Sequence, residues 1–388
     1  MTIAPGDSLG LTAALVRVDS RNPTLVPGAP GERECARVLA DVLRAWGFAV
    51  EVVDAAPRRP NVIARLAPPI GVARGRSLLL NGHLDVVGTD GMTHAPFDGE
   101  ARDGRLWGRG SADMKGGIAA MCAAAVRARD AGALRGEVIV TAVADEEYGS
   151  LGTRALVESG VRADAAIVTE PTRLRVMPAH KGFAWLTVTV RGHAAHGSRW
   201  ELGVDAIRHA GLLLAELDAL DAEELPRRTA HPLLGRPSLH ASLIGGGSGL
   251  STYPDRCVLR LERRTIPGES ADAPLHEVRA ACERVRARRP SFDADVTLDL
   301  EQPPSDVAAG APIVRALVDA LGAVGEPPTP LEGMSAWTDA ALLNGAGIPA
   351  VCFGPGDIAL AHADTEYVPV DEIERATAAL AELVARWC

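Results

Sequence analysis

Residues 77–87 read SLLLNGHLDVV, an apolar run that breaks abruptly into an imidazole and a carboxylate. A second run of the same kind, VIVTAVADEEYGS, occupies 138–150. Between them, GGIAAMCAAAVRARDAGA (116–133) carries apolar residues at helical spacing and ends near a glycine, Gly132. Two more short apolar runs follow, AAIV at 165–168 and AVCF at 350–353. Short, β-branched or wholly apolar runs are the mark of strands buried on both faces of a parallel sheet. Strands alternating with helices predict an α/β fold, a mostly parallel sheet with helices on both faces. In such sheets, sites form beyond the carboxyl ends of the strands.

Polar residues sit at those ends. His83, Glu147 and Glu170 follow their runs by one to three residues, and His362 lies in the loop after AVCF. Asp113, in GRGSADMKGG (108–117), occupies the turn entering the Ala-rich helix. Taken singly, each has an ordinary reading: Asp113 as a helix N-cap, Glu146 and Glu147 as first-turn carboxylates favoured by a helix dipole, the histidines as structural. Together, two imidazoles and three carboxylates suit a pair of divalent metals sharing one carboxylate bridge. That points to a metal-assisted hydrolase. The same glycine-rich stretch lacks the GK[ST] ending of a phosphate loop, and Ser111 lacks a nucleophile-elbow context.

Composition narrows the partners. The 388 residues are 47% hydrophobic and 23% charged, ample for a sizeable core and two domains. A net charge of −10 without a basic cluster argues against nucleic acid. The opening MTIAPGDSLG has neither a basic nor an apolar signal region, and no apolar run reaches membrane-span length. The six cysteines are scattered without a CxxC pair, and read as reduced thiols of a cytoplasmic protein.

The middle of the chain has a different rhythm. FAWLTVTVR (183–191) alternates, DAIRHAGLLLAELDAL (205–220) is amphipathic, and SLHASLIGG (238–246) and DRCVLRLERR (255–264) read as strands joined by a Gly-rich loop. PLHEVRAACERVRARR (274–289) reads as a helix and FDADVTLDL (292–300) as a strand. The order βαββαβ suggests a ferredoxin-like α+β unit. The expected layout is a discontinuous metal-binding domain, 1–181 and 302–388, interrupted by an insert at 182–301. Hinges are expected near Lys181–Gly182 and Gln302–Pro304.

HLDVV (83–87), GRGSADMKGG, DEEYGSLG (145–152), TEPT (169–172) and GPG…AH…EY (354–367) resemble, in order, the motif series of the dinuclear zinc aminoacylase and exopeptidase family. Its members include acetylornithine deacetylase, succinyl-diaminopimelate desuccinylase and carboxypeptidase G. The resemblance covers nearly the whole chain, and TEPT, AHKG (179–182) and GPG bring it nearest to the deacetylase and desuccinylase branch.

The resemblance implies two Zn2+ per chain, with Co2+ or Mn2+ able to substitute. His83 and Glu170 would hold one ion, Glu147 and His362 the other, with Asp113 as the bridge and a cis peptide after it. Glu146 matches the family's general base. Asp85 matches the carboxylate that orients the ligating imidazole; its spacing from His83 agrees, since side chains repeat every two residues along a strand. His196, in RGHAAHGS (191–198), matches a histidine that reaches the scissile carbonyl, often from the partner subunit. Arg264, in LERRTIPGE (261–269), matches the arginine that holds a substrate carboxylate, a task its forked guanidinium suits. Ser335, in GMSAWTDAA (333–341), falls in a segment the family places near substrate. The insert would act as lid and homodimerisation surface. One departure is Ser251, where many relatives carry asparagine.

The reading is therefore a metal-dependent amide hydrolase that deacylates an N-acyl amino acid, with a dipeptidase or carboxypeptidase as the alternative within the family. A non-catalytic binding protein on the same fold would have no need of Glu146. A metal-dependent phosphohydrolase would use more oxygen ligands and favour magnesium.

Overall fold

In a computed structural model, which describes residues 3–69 and 75–388, the chain forms two compact units. Met1, Thr2 and 70–74, which fall within the N-terminal stretch and the first domain read above, lie outside the described residues. One unit comprises the chain up to Ala179, Val307–Gly333 and Thr338–Cys388; the other comprises His180–Asp306 and Met334–Trp337.

The first unit is built on a six-stranded sheet. Its order is Ala49–Ala56, Arg59–Leu66, Val138–Val143, Leu78–His83, Ala165–Val168, Ala350–Cys352. The last four strands run parallel, and the first two add an antiparallel edge. The four apolar runs of the sequence are those four parallel strands, in contiguous order. Leu78 and Leu80 enter a core with Val140, Ile167 and Val351, formed against the helices Gly116–Asp130 and Val370–Trp387. Their alternates Leu79, Ile139 and Ile63 are buried on the opposite face. Covering both faces is what allows an uninterrupted apolar strand. The helix Gly116–Asp130 is buried almost all round, which explains its alanines: small side chains let it lie close to its neighbours.

The second unit is an antiparallel sheet ordered Ser238–Gly246, Arg256–Thr265, Gly182–Arg191, Asp293–Gln302. With helices Ala206–Ala219 and Ala273–Arg288, the chain order is βαββαβ, the ferredoxin-like arrangement. Ala184, Leu186, Val188 and Val190 alternate into a core with Leu213, Leu217, Val278 and Val285 of the helices. The segment Met334–Trp337 joins this unit, which the sequence did not suggest. Its anchor is Trp337, whose indole N–H donates to the Pro303 carbonyl at 2.9 Å and whose ring meets His180 and Phe183 edge-on.

All six cysteines are free and buried. Among the described residues, no helix is long and apolar enough to cross a membrane.

Candidate metal centre

His83 is the last residue of the strand Leu78–His83. Glu146 and Glu147 follow the adjacent strand Val138–Val143, and Glu170 follows Ala165–Val168. His362 sits in the loop beyond Ala350–Cys352 with a left-handed backbone, φ 61°. Asp113 lies in an irregular turn before the helix Gly116–Asp130, and its peptide bond to Met114 is cis.

These side chains converge. His83 Nε2 lies 2.9 Å from Asp113 Oδ1 and 4.0 Å from Glu146 Oε2. His362 Nε2 lies 2.9 Å from Glu147 Oε2 and 3.5 Å from Asp113 Oδ2. Asp113 thus has one oxygen toward each histidine. Ligand atoms of His83, Asp113 and Glu147 lie within 4.8 Å of one another, and so do those of His83, Glu146 and Glu170. His83, Asp113 and Glu170 are buried, while the His362 side chain is 53% exposed, at the mouth of the cluster.

Two buried carboxylates hold the turns that carry these groups. Asp85 accepts the backbone N–H of Glu146 at 3.1 Å and of Glu147 at 3.2 Å. Glu366 accepts those of Ala112 at 3.0 Å and Asp113 at 3.2 Å, and is tied to Arg109 at 2.7 Å. Glu366 and Arg109 were not singled out in the sequence. The glutamate of the terminal EY motif was the available signal.

Asp85 acts differently from the expectation. The Nδ1–H of His83 donates to the main-chain carbonyl of Asp85 at 2.9 Å, and the nearest carboxylate oxygen is 3.8 Å away. The reason is that the strand ends at His83, so strand alternation no longer governs Asp85.

The donor set suits cations. Two imidazoles face four acids, and Glu147 Oε1 is buried without a hydrogen-bond partner. A buried carboxylate oxygen left unpaired is costly unless a cation meets it. Burial opposes the charge of His362, yet its bonds to Asp113 and Glu147 hold its pKa up at about 11. His83 is likewise opposed by burial but raised well above its usual value by Asp113, Glu146 and Glu170. Burial raises Glu146 and Glu170, offset in part by His83.

At neutral pH the metal-free site therefore carries protons that a metal must displace. Displacement means that metal affinity rises with pH. Calorimetric Zn2+ titration near pH 7, repeated in buffers of different ionisation enthalpy, should show net proton release, to which His362 contributes. Binding without proton release would mean that the metal does not displace protons held on this cluster.

The remaining predicted residues belong to the second unit. His196 is exposed, its Nδ1 2.8 Å from Ser198 Oγ. Arg264 donates from Nε to Glu262 at 2.6 Å, with its guanidinium 5.3 Å from the Phe183 ring centroid. Its neighbour Arg263 points to the opposite face and is fully buried on Glu269 and Glu277. Ser335 is exposed.

A family model described as peptidase family M20/M25/M40 matches residues 79–386. The chain is 34% identical over 356 residues to an acetylornithine deacetylase of Myxococcus xanthus, covering 89% of this chain and 90% of that one. It is 27% identical over 376 residues to an N-formyl-4-amino-5-aminomethyl-2-methylpyrimidine deformylase of Bacillus subtilis, covering 90% and 88%. Among solved structures, an M20 family metallo-carboxypeptidase from Sulfolobus solfataricus shares the fold, with a TM-score of 0.80, 17% identity and coverage of 98% and 99%.

Proposed function

The chain belongs to the peptidase family M20/M25/M40 and is a metal-dependent hydrolase of amide bonds; from that premise we propose that it removes the acyl group of an N-acyl amino acid at a two-zinc centre. The observation that carries this reading is the placement of Asp113, with one oxygen toward His83 and the other toward His362 and Glu147. His83 and Glu170 would hold one ion, Glu147 and His362 the other, and Asp113 both. Bound zinc would acidify water and polarise the amide carbonyl. Glu146, beside this cluster and held by the Asp85 clamp, takes the proton from the attacking water and passes it to the leaving nitrogen. Its raised pKa, caused first by burial, suits a group that must both accept and return a proton. Asp85 keeps the His83 ring in place through its carbonyl. In the second unit, Arg264 holds the substrate carboxylate and His196 the developing oxyanion, with Ser335 at the substrate's edge.

The direct test is turnover of acetyl, succinyl, formyl and carbamoyl amino acids, with dipeptides alongside, by zinc-loaded protein. Release of a free amino acid from an acyl amino acid is expected. Cleavage of dipeptides alone would make the chain a peptidase.

The protein is proposed to be cytoplasmic, in keeping with six free, buried thiols. The His180–Asp306 unit is proposed as lid and homodimerisation surface. Its strand Ser238–Gly246 is an unpaired sheet edge, and Leu243, Ile244, Leu250 and Trp200 of the same unit are exposed. An apolar edge of this kind calls for a covering partner, here a second copy.

In such a dimer His196 would serve the neighbouring subunit's site. Re-assembling Glu146→Ala with His196→Ala subunits should then restore activity, since a mixed dimer has one site with both groups intact. Proven subunit exchange without rescue would rule out service across the interface.

A further inference from the structure

Behind the Glu146–Glu147 turn runs a buried chain of polar groups of which the mechanism above uses only Asp85. It begins at Glu32, which is fully buried and receives Arg59 Nε at 2.8 Å and Nη2 at 2.6 Å. Arg59 Nη2 also donates to Asp145 Oδ1 at 2.8 Å. The same Asp145 oxygen receives the amide of Asn22 at 3.0 Å, and that amide donates again to Asp85 Oδ2 at 2.8 Å. Asp85 in turn accepts the backbone N–H groups of Glu146 and Glu147. Asn22, Asp85 and Asp145 are each at most 1% exposed, and Arg59 is 8% exposed.

Three observations separate this chain from ordinary packing. Asp145 holds a left-handed backbone, φ 70°, directly before Glu146. A non-glycine residue stays there only where its surroundings over-determine it, and here Arg59 and Asn22 fix its side chain. A buried ion pair is also weak support for stability, since apolar residues of similar volume usually serve as well. Finally, the polar chain meets the same turn at two points, through the Asp145 side chain and through Asp85.

We propose that Arg59, Asn22 and Glu32 are positioning residues that fix the Asp145–Glu147 turn and so aim the Glu146 carboxylate. The proposal rests on the reading of Glu146 as the base. A small displacement of a reacting group costs far more in rate than in binding. Loss of the network therefore acts on kcat and leaves KM nearly unchanged.

Two variants test it. Asn22→Asp keeps the shape, and keeps the oxygen that accepts Thr24 N–H at 2.9 Å, but replaces the shared donor with an acceptor. The double variant Glu32→Gln/Arg59→Gln removes the Glu32–Arg59 ion pair together with the Arg59 contact to Asp145, leaving Asp145 only its Asn22 partner in this chain of groups. In metal-free protein, hydrogen exchange at the Glu146 and Glu147 amides should speed up at least about tenfold, while the strand Val138–Val143 keeps its protection. Zinc-loaded protein, assayed on the acyl amino acid turned over fastest by wild type, should lose about 10–100-fold in kcat, with KM within about threefold. Arg59→Lys, which keeps the charge but not the fork, should fall between wild type and the double variant. Unchanged exchange at the turn in Asn22→Asp overturns the proposal, and so does a loosened turn with wild-type kcat; if the double variant does not fold, Asn22→Asp decides alone. Glu146→Gln run in parallel tests the base itself. Turnover retained by that variant would refute the base, whereas the exchange data report on the network independently.

Discussion

Glu146→Gln is expected to lower kcat by at least about 100-fold, the usual contribution of acid–base catalysis, while metal content stays that of the wild type. The side chain keeps its size but can no longer take a proton. Its neighbours make the substitution well tolerated: Glu146 is held in place by its backbone N–H on Asp85, which the amide variant retains. Glu146 also lies near Glu170, Asp339 and Glu147, whose negative charges oppose its ionisation against the attraction of His83. Steady-state kinetics with metal analysis on the same preparation checks it. Retention of more than about a tenth of wild-type kcat would mean that another group serves as base.

Removal of metal is expected to abolish activity altogether, and Zn2+ or Co2+ to restore it. The acids around Asp113 are mutually repulsive when ionised, and bound cations would relieve that repulsion and meet the unpaired Glu147 oxygen. Because the ions bind the folded chain, they also stabilise it, by about 4 kcal/mol at a thousandfold excess over Kd. Thermal unfolding before and after chelation should show a clear fall in Tm, reversed by reloading. Full activity in chelated protein with negligible residual metal would contradict the metal-dependent chemistry.

The parts of this molecule legible in the sequence are those whose signal is local. SLLL, VIVTAVA, AAIV and AVCF could be read as parallel strands because burial on both faces leaves no room for alternation. His83, Asp113, Glu147, Glu170 and His362 stood out because each interrupts or follows such a pattern at the edge where sites form. Ala49–Ala56 and Arg59–Leu66 were not read as strands. The first is largely exposed, and the second mixes Arg59, Pro60 and Asn61 with its apolar residues.

The support around the site was less visible still. Glu32, Arg59 and Asp145 meet across 27 and 86 residues, and Glu366 reaches Asp113 across 253. Only the fold brings them together, and one residue at a time each looks like surface charge. Asp85 shows the same limit at short range. Its importance was evident two residues past His83, but the group that touches the imidazole turned out to be its carbonyl, because the strand stops at His83.

The most direct measurement is anomalous diffraction at the zinc edge from crystals of the zinc-loaded protein. Two peaks per chain are expected, about 3.5–4 Å apart, one beside His83 and Glu170, the other beside Glu147 and His362, with Asp113 between them. A single peak, or zinc bound away from Asp113 under saturating metal, would contradict the two-metal centre.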